Sequence, residues 1–214
     1  MKSIASYTFI EEIWHSVTHG IGLLLSISAL TLLCVFAGQD GDGAKIASAV
    51  VFGLSLMMMY GASTLYHAIS YPPAKAILRQ ADHCAIYILI AGTYTPVSLL
   101  AIQGTLGWVL FGCAWGIAAV GIAMKILFPN RFKLFSLLLY GLMGWMVVFA
   151  IDPLLANTSD LAFNLLLAGG ITYSVGVIFY VWKSLAFHHT IWHFFVLGGS
   201  ICHFFVVLLL ILGA

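Results

Sequence analysis

Long apolar runs separated by short polar or helix-stopping breaks fill this chain from about residue 17 onward. The runs predict helical spans at approximately 17–37, 46–68, 83–102, 107–127, 134–151, 161–182 and 190–212. Each is near the roughly 20 residues a helix needs to cross a bilayer. The breaks fall at Gln39 to Gly43, Tyr71-Pro72-Pro73, Gln103-Gly104, Phe128 to Lys133, Asp152-Pro153 through Asp160, and Lys183 to His188. A membrane barrel would instead alternate apolar and polar residues in short segments. The pattern therefore predicts an all-α, polytopic membrane protein: one seven-transmembrane-helix bundle over residues 1–214, without a soluble domain or repeat. Residues 1–16 are expected to form a short interfacial segment, with Phe9, Ile13 and Trp14 at headgroup level.

Composition agrees. Of the 214 residues 63% are hydrophobic and 7% charged, against roughly a quarter charged in a soluble domain. Mean hydropathy is +1.10. The net charge of +1 gives no reason to expect a nucleic-acid partner. The basic residues are nevertheless strongly asymmetric. Lys2, Lys75, Arg79, Lys125, Arg131, Lys133 and Lys183 fall on the amino-terminal side of the predicted bundle, and only Lys45 falls on the other. The positive-inside rule then puts the amino terminus in the cytoplasm and the carboxy terminus outside, in a multi-pass protein of the plasma membrane. Acids precede the first apolar run and no small-residue cleavage site follows it, so the first span is expected to be retained. The cysteines, Cys34, Cys84, Cys113 and Cys202, lie within spans and form no CxxC pair, as expected of apolar packers rather than thiolate ligands.

The topology sorts polar residues by depth. His15 and His19 enter the first span, His67 closes the second, Asp82 and His83 open the third, and His188, His189 and His193 open the seventh. All belong to the cytoplasmic level, although they are far apart in sequence. Ionisable groups inside a membrane are costly and mark functional sites by default. His189 and His193 stand one helical turn apart and project from one face, and Ser63 stands one turn from His67. His67, His189 and His193 would together offer three neutral imidazoles, the ligand set of a catalytic zinc ion with water in its open fourth position. Asp82 would then serve as an outer acceptor or as a base toward that water, with Ser63 hydrogen-bonded to it. Plainer readings stand beside these. A His pair at i,i+4 can simply hydrogen-bond between helices, and Asp82 can cap its helix. His188, His83 and His15 are expected to be interfacial residues with their tips in water. His19 is balanced between the two readings. His203, ~15 Å deeper than His193 along a helix, belongs to packing or a separate polar contact.

Ser63-Thr64-Leu65-Tyr66-His67, Asp82 and His189-Thr190-Ile191-Trp192-His193 resemble the S-x-x-x-H, D, H-x-x-x-H signature of the progestin and adipoQ receptor family and the wider membrane hydrolases that include alkaline ceramidases. Glu11 to Gly20, Asp82 to Tyr87, Ala91 to Pro96 and Ile191 to Ser200 resemble most closely the bacterial hemolysin III branch, and the likeness covers nearly the whole chain. It implies one zinc ion held by His67, His189 and His193, with Asp82 and Ser63 beside its water. It also implies a bacterial inner-membrane protein with a role in membrane-lipid homeostasis. The chain lacks the extended amino-terminal domain of the animal receptors, so adipokine binding is not implied.

Three functions follow as expectations. One is zinc-dependent hydrolysis of a lipid amide or ester, with Asp82 and Ser63 as the catalytic side chains and a membrane lipid as partner and substrate. The second is a non-enzymatic sensor or regulator of the bilayer with structural zinc. The third is a cytolytic pore, against which stands the absence of any ring of charged residues in the spans. Pro96 predicts a kink that opens a lateral cavity for an acyl chain. Gly112 and Gly116, a G-x-x-x-G pair, predict close helix approach or a dimer face.

Overall fold

The computed structural model describes residues 7–129 and 131–213. Lys2 and the rest of residues 1–6 lie outside them. All regular structure in the described residues is helical, and seven helical segments are long and apolar enough to cross a membrane. In chain order the helices are α1 (Phe9–Asp40), α2 (Gly43–Ala68), α3 (Pro72–Pro96), α4 (Gly104–Leu127), α5 (Lys133–Trp145), α6 (Ile151–Asn157), α7 (Asp160–Val181) and α8 (His188–Leu212).

Local chemistry sets the ends. The Thr8 side chain accepts from the Glu11 backbone while the Glu11 carboxylate accepts from Thr8 N–H, a reciprocal cap that starts α1. Gly41, at φ 68°, stops it, since only a residue without Cβ adopts that conformation freely. Asp42 then caps α2 through Ala44 N–H at 2.7 Å, so the first hairpin is tight. Residues 9–16 are the first turns of α1, with Phe9, Ile13 and Trp14 exposed on its outer side.

Two other spans run longer than the apolar pattern predicts. The third starts at Pro72 rather than near 83, because the Pro72-Pro73 pair is preset for a helix amino terminus and extends α3 through Lys75, Arg79 and Asp82. The fifth is composite: α5, a 3-10 stretch at Met146–Ala150 and α6 together reach Asn157. Asp152-Pro153 therefore begins a helix instead of a loop, in the first turn, where proline's missing N–H leaves no bond unmade.

Pro96 ends regular α3 and is followed by a π-helical turn over Val97–Ile102, a known response to an interrupted hydrogen-bond ladder. A cavity of about 330 Å³ lies beside that turn, lined by Ala44, Ala47, Ser98, Leu99 and Trp108 among others. Its lining comes from the start of α2 and the start of α4, so it sits at the end of the bundle opposite His67. Pro96 does not line it, and it lies away from the histidines.

α1 packs on α2, α2 on α3, α3 on α4, and α8 on both α7 and α1. α3 is the central span, with 67% of its apolar window buried against 17% for α7. One apolar core joins α3, α4, α5 and the far end of α8 through Tyr87, Tyr94, Leu110 and Met143. A second joins α1, α2, α3 and α8 through Leu33, Phe52, Leu56 and Val207. Close approach is provided by glycines other than the expected pair. Added Cβ atoms would lie 2.3 Å from the Tyr87 ring at Gly121 and 2.4 Å from the Tyr60 ring at Gly22. Gly112 and Gly116 face outward, with nothing within 4 Å. At mid-depth the Tyr60 hydroxyl donates to Ser200 Oγ at 2.8 Å, and Tyr173 and Ser200 share a bond of 2.8 Å. His203 is buried there, its Nε2 3.4 Å from the Leu166 carbonyl, the separate polar contact its depth implies. All four cysteines are free.

Candidate metal centre

Three chain segments meet at one end of the bundle: the first turns of α1, the last turn of α2 and the first turns of α8. α2 carries His67 just before it ends at Ala68. α8 starts after Phe187, whose left-handed φ of 55° turns the chain back into the bundle, and presents His188, His189 and His193. Spaced along one face of α1 are Glu12, His15, Thr18 and His19.

The predicted trio comes together. One ring nitrogen each from His67, His189 and His193 lie within 4.8 Å of one another. Their ring centroids are 5.3, 5.3 and 4.6 Å apart. All three side chains are buried, His193 at 1% exposure. The His67 Nε2 atom is buried without a protein partner. A buried polar atom left unmade costs about 1–3 kcal/mol, a cost that a metal ion bound at this nitrogen would remove. Buried neutral nitrogens with no thiolate among them fit a zinc ion.

The carboxylate touching this trio is Glu12, to which no role follows from sequence. Its Oε2 is 2.6 Å from His67 Nδ1 and its Oε1 is 2.9 Å from Lys75 Nζ of α3. Glu12, His15 and His67 form a second group whose ligand atoms lie within 4.8 Å. The Lys75 ammonium already balances that carboxylate, which suits it to accept hydrogen bonds from its neighbours rather than to hold a cation. Thr18 Oγ1 lies 3.0 Å from His193 Nδ1.

Asp82 and Ser63 occupy a neighbouring position. The Ser63 hydroxyl meets the Asp82 carboxylate; Ser63 is 1% exposed and Asp82 half-buried. Asp82 is not among the groups that share a ligand sphere with the histidines. It also does not act as the cap of α3, which begins at Pro72, ten residues earlier.

Two interfacial expectations are overturned. His15 is 0% exposed, and its ring centroid lies 4.6 Å from His67, 4.8 Å from His189 and 5.3 Å from His193. His188 is buried, with Nδ1 3.2 Å from the Phe179 carbonyl. The reason in both cases is that α1 and α8 begin earlier than predicted, at Phe9 and His188, so these residues belong to helices packed face to face. His19 joins the layer, its ring stacked 3.4 Å from His193 and edge-on to Tyr60. His83 is half-buried among Lys125, Arg79 and Lys133, away from the cluster. Tyr7, just before α1, closes the outer end of the cluster, stacked 5.2 Å from His189 and edge-on to His15 at 4.7 Å. Burial pushes its phenol pKa well up, so the ring stays neutral over the imidazoles. The spacing Glu12, His15, Thr18, His19 was the available signal for this face: polar residues three to four apart in the opening turns of an apolar helix.

The chain matches the family model described as "Haemolysin-III related" over residues 7–204. It is 51% identical over 202 residues to the "Hemolysin-3 homolog" of Bacillus subtilis (strain 168), covering 94% of this chain and 95% of the relative. It is 48% identical over 202 residues to "Hemolysin-3" of Bacillus cereus, covering 94% and 92%. The human "Monocyte to macrophage differentiation factor" matches at 29% over 170 residues, 75% of this chain and 68% of the relative.

Proposed function

The chain belongs to the haemolysin-III related family of multi-pass bacterial membrane proteins, and on that premise we propose that it is a zinc-dependent hydrolase of lipid amide or ester bonds. The observation that carries the reading is the buried trio of His67, His189 and His193, with the His67 Nε2 buried and unpartnered, inside a membrane bundle. Zinc bound there supplies a Lewis acid that polarises a carbonyl and acidifies water.

The remaining roles fall to the chain itself. Asp82, held by Ser63, takes a proton from water as its oxygen adds to the lipid carbonyl, and returns that proton to the departing amine or alcohol. Ser63 spends its one proton on the carboxylate and orients it toward the water. The products are a fatty acid and the amine or alcohol it was joined to. The bilayer supplies the substrate, and the positive-inside bias puts the centre at the cytoplasmic face.

The test is mass spectrometry of a broad lipid panel, ceramide-like amides and esters, incubated with purified zinc-loaded protein. Wild type releases fatty acid, while Asp82→Ala retains zinc and loses release by 100-fold or more, on the order of general-base contributions of about 10²–10⁴. Zinc-loaded wild type that cleaves nothing across the panel removes the enzyme and leaves a structural metal that ties α2 to α8. Loss of zinc in His67→Ala, His189→Ala and His193→Ala separately establishes the centre.

A further inference from the structure

We infer that α1, which contributes none of the proposed metal ligands, sets the tautomers of two of them: Glu12 and Thr18 are positioning residues that turn His67 Nε2 and His193 Nε2 toward the ion. The inference rests on the reading of the trio as a metal site and adds to it the groups that orient the ligands.

The hydrogen-bond chemistry leaves one arrangement. At 2.6 Å from His67 Nδ1, the Glu12 carboxylate can only accept, so Nδ1 carries the proton and the lone pair is left on Nε2. That Nε2 is the atom found buried and without a partner. A hydroxyl at 3.0 Å from His193 Nδ1 is ambiguous by itself, but Thr18 has one proton and spends it locally. Thr18 Oγ1 lies 2.7 Å from the Trp14 carbonyl and 3.0 Å from that of His15, neither of which can donate. Toward His193 it therefore presents a lone pair, Nδ1 must donate, and Nε2 is again the free nitrogen. Two residues six apart on one helix act alike on ligands from two other helices.

Glu12 is itself held. Its second oxygen binds Lys75 Nζ at 2.9 Å, joining α1, α2 and α3 in one chain of charge-assisted bonds. The carboxylate is thus fixed in place beside His67. Outer partners of this kind raise ligand basicity and fix ring orientation, and their loss typically weakens metal binding by about 10–100-fold.

The experiment measures zinc affinity by competition with a chromophoric chelator, and the visible spectrum of the cobalt-substituted protein, in detergent. Glu12→Leu is expected to weaken zinc binding by about 10–100-fold, and Glu12→Gln, which keeps an acceptor oxygen, by less. Thr18→Val keeps the shape of threonine and removes the acceptor. It is expected to weaken binding by about 10-fold and to shift the cobalt bands, whereas Thr18→Ser restores both. A packing role would reverse that order, because serine loses the methyl group that valine keeps. Thr18→Val also decides the matter if Glu12→Leu does not fold. Wild-type affinity and spectrum in both Thr18→Val and Glu12→Gln, with zinc still lost in the three ligand variants, overturn the inference and spare the metal reading. A wild-type protein that binds no zinc overturns both.

Discussion

His15, His19, His67, His188, His189 and His193 are buried in one connected network of ring contacts, a costly arrangement. Both nitrogens of His15 and of His19 are buried without partners, a cost of about 1–3 kcal/mol for each unmade bond that packing of a purely apolar end would avoid. Single residues also decide how closely the helices approach. An alanine methyl at Gly121 would meet the Tyr87 ring at 2.3 Å, and Tyr87 is 1% exposed and central to its core. Gly121→Ala is therefore expected to destabilise by about 1–3 kcal/mol through overpacking. Gly112→Ala, with nothing within 4 Å, should leave the midpoint unchanged or slightly raised. Thermal unfolding of both variants in the same detergent checks the contrast, and equal losses would refute this account of the packing. The sequence made Gly112 and Gly116 conspicuous by their spacing alone. Which glycine faces a neighbour is a matter of helix rotation, which near-uniform apolarity in α4 does not reveal.

At the scale of elements, span number and order were readable because apolar length is a direct consequence of bilayer thickness. Their ends were less so. Pro72-Pro73 and Asp152-Pro153 look like breaks in a hydropathy reading, yet both sit in first turns, where proline is favoured. The α1–α2 hairpin offers a direct check on such local signals. Asp42 accepts from Ala44 N–H at 2.7 Å and Lys45 N–H at 3.4 Å. Asp42→Ala should cost about 1 kcal/mol, and Asp42→Ser, which retains a capping oxygen, much less. Chemical or thermal unfolding that ranks alanine and serine equally would refute the cap. The extended start of α3 has a functional result too, since it delivers Lys75 to Glu12.

On the scale of the whole molecule, the basic residues predict which end of the bundle faces the cytoplasm. In a background with the four native cysteines replaced by serine, a membrane-impermeant maleimide should label Asp160→Cys in intact cells. Lys183→Cys should be labelled only after permeabilisation. The reverse pattern would invert the topology and move the histidine layer to the outer face. Helices α1, α2 and α8 carry that layer, so the amino- and carboxy-terminal spans must pack together before the site exists.

The sequence by itself determined the membrane class and the helical architecture, and it brought His67, His189 and His193 to one depth as candidates. These follow from properties carried along the chain: uninterrupted apolar length, span ends that fall at the same surface, and a His pair one helical turn apart. Only the tertiary structure decided that His15 and His188 are interior, that Glu12 rather than Asp82 touches a trio imidazole, and that Thr18 meets His193. Those facts depend on how α1 is rotated against α2 and α8. That rotation is fixed by interdigitating side chains from residues tens to nearly two hundred positions apart, which no local pattern encodes.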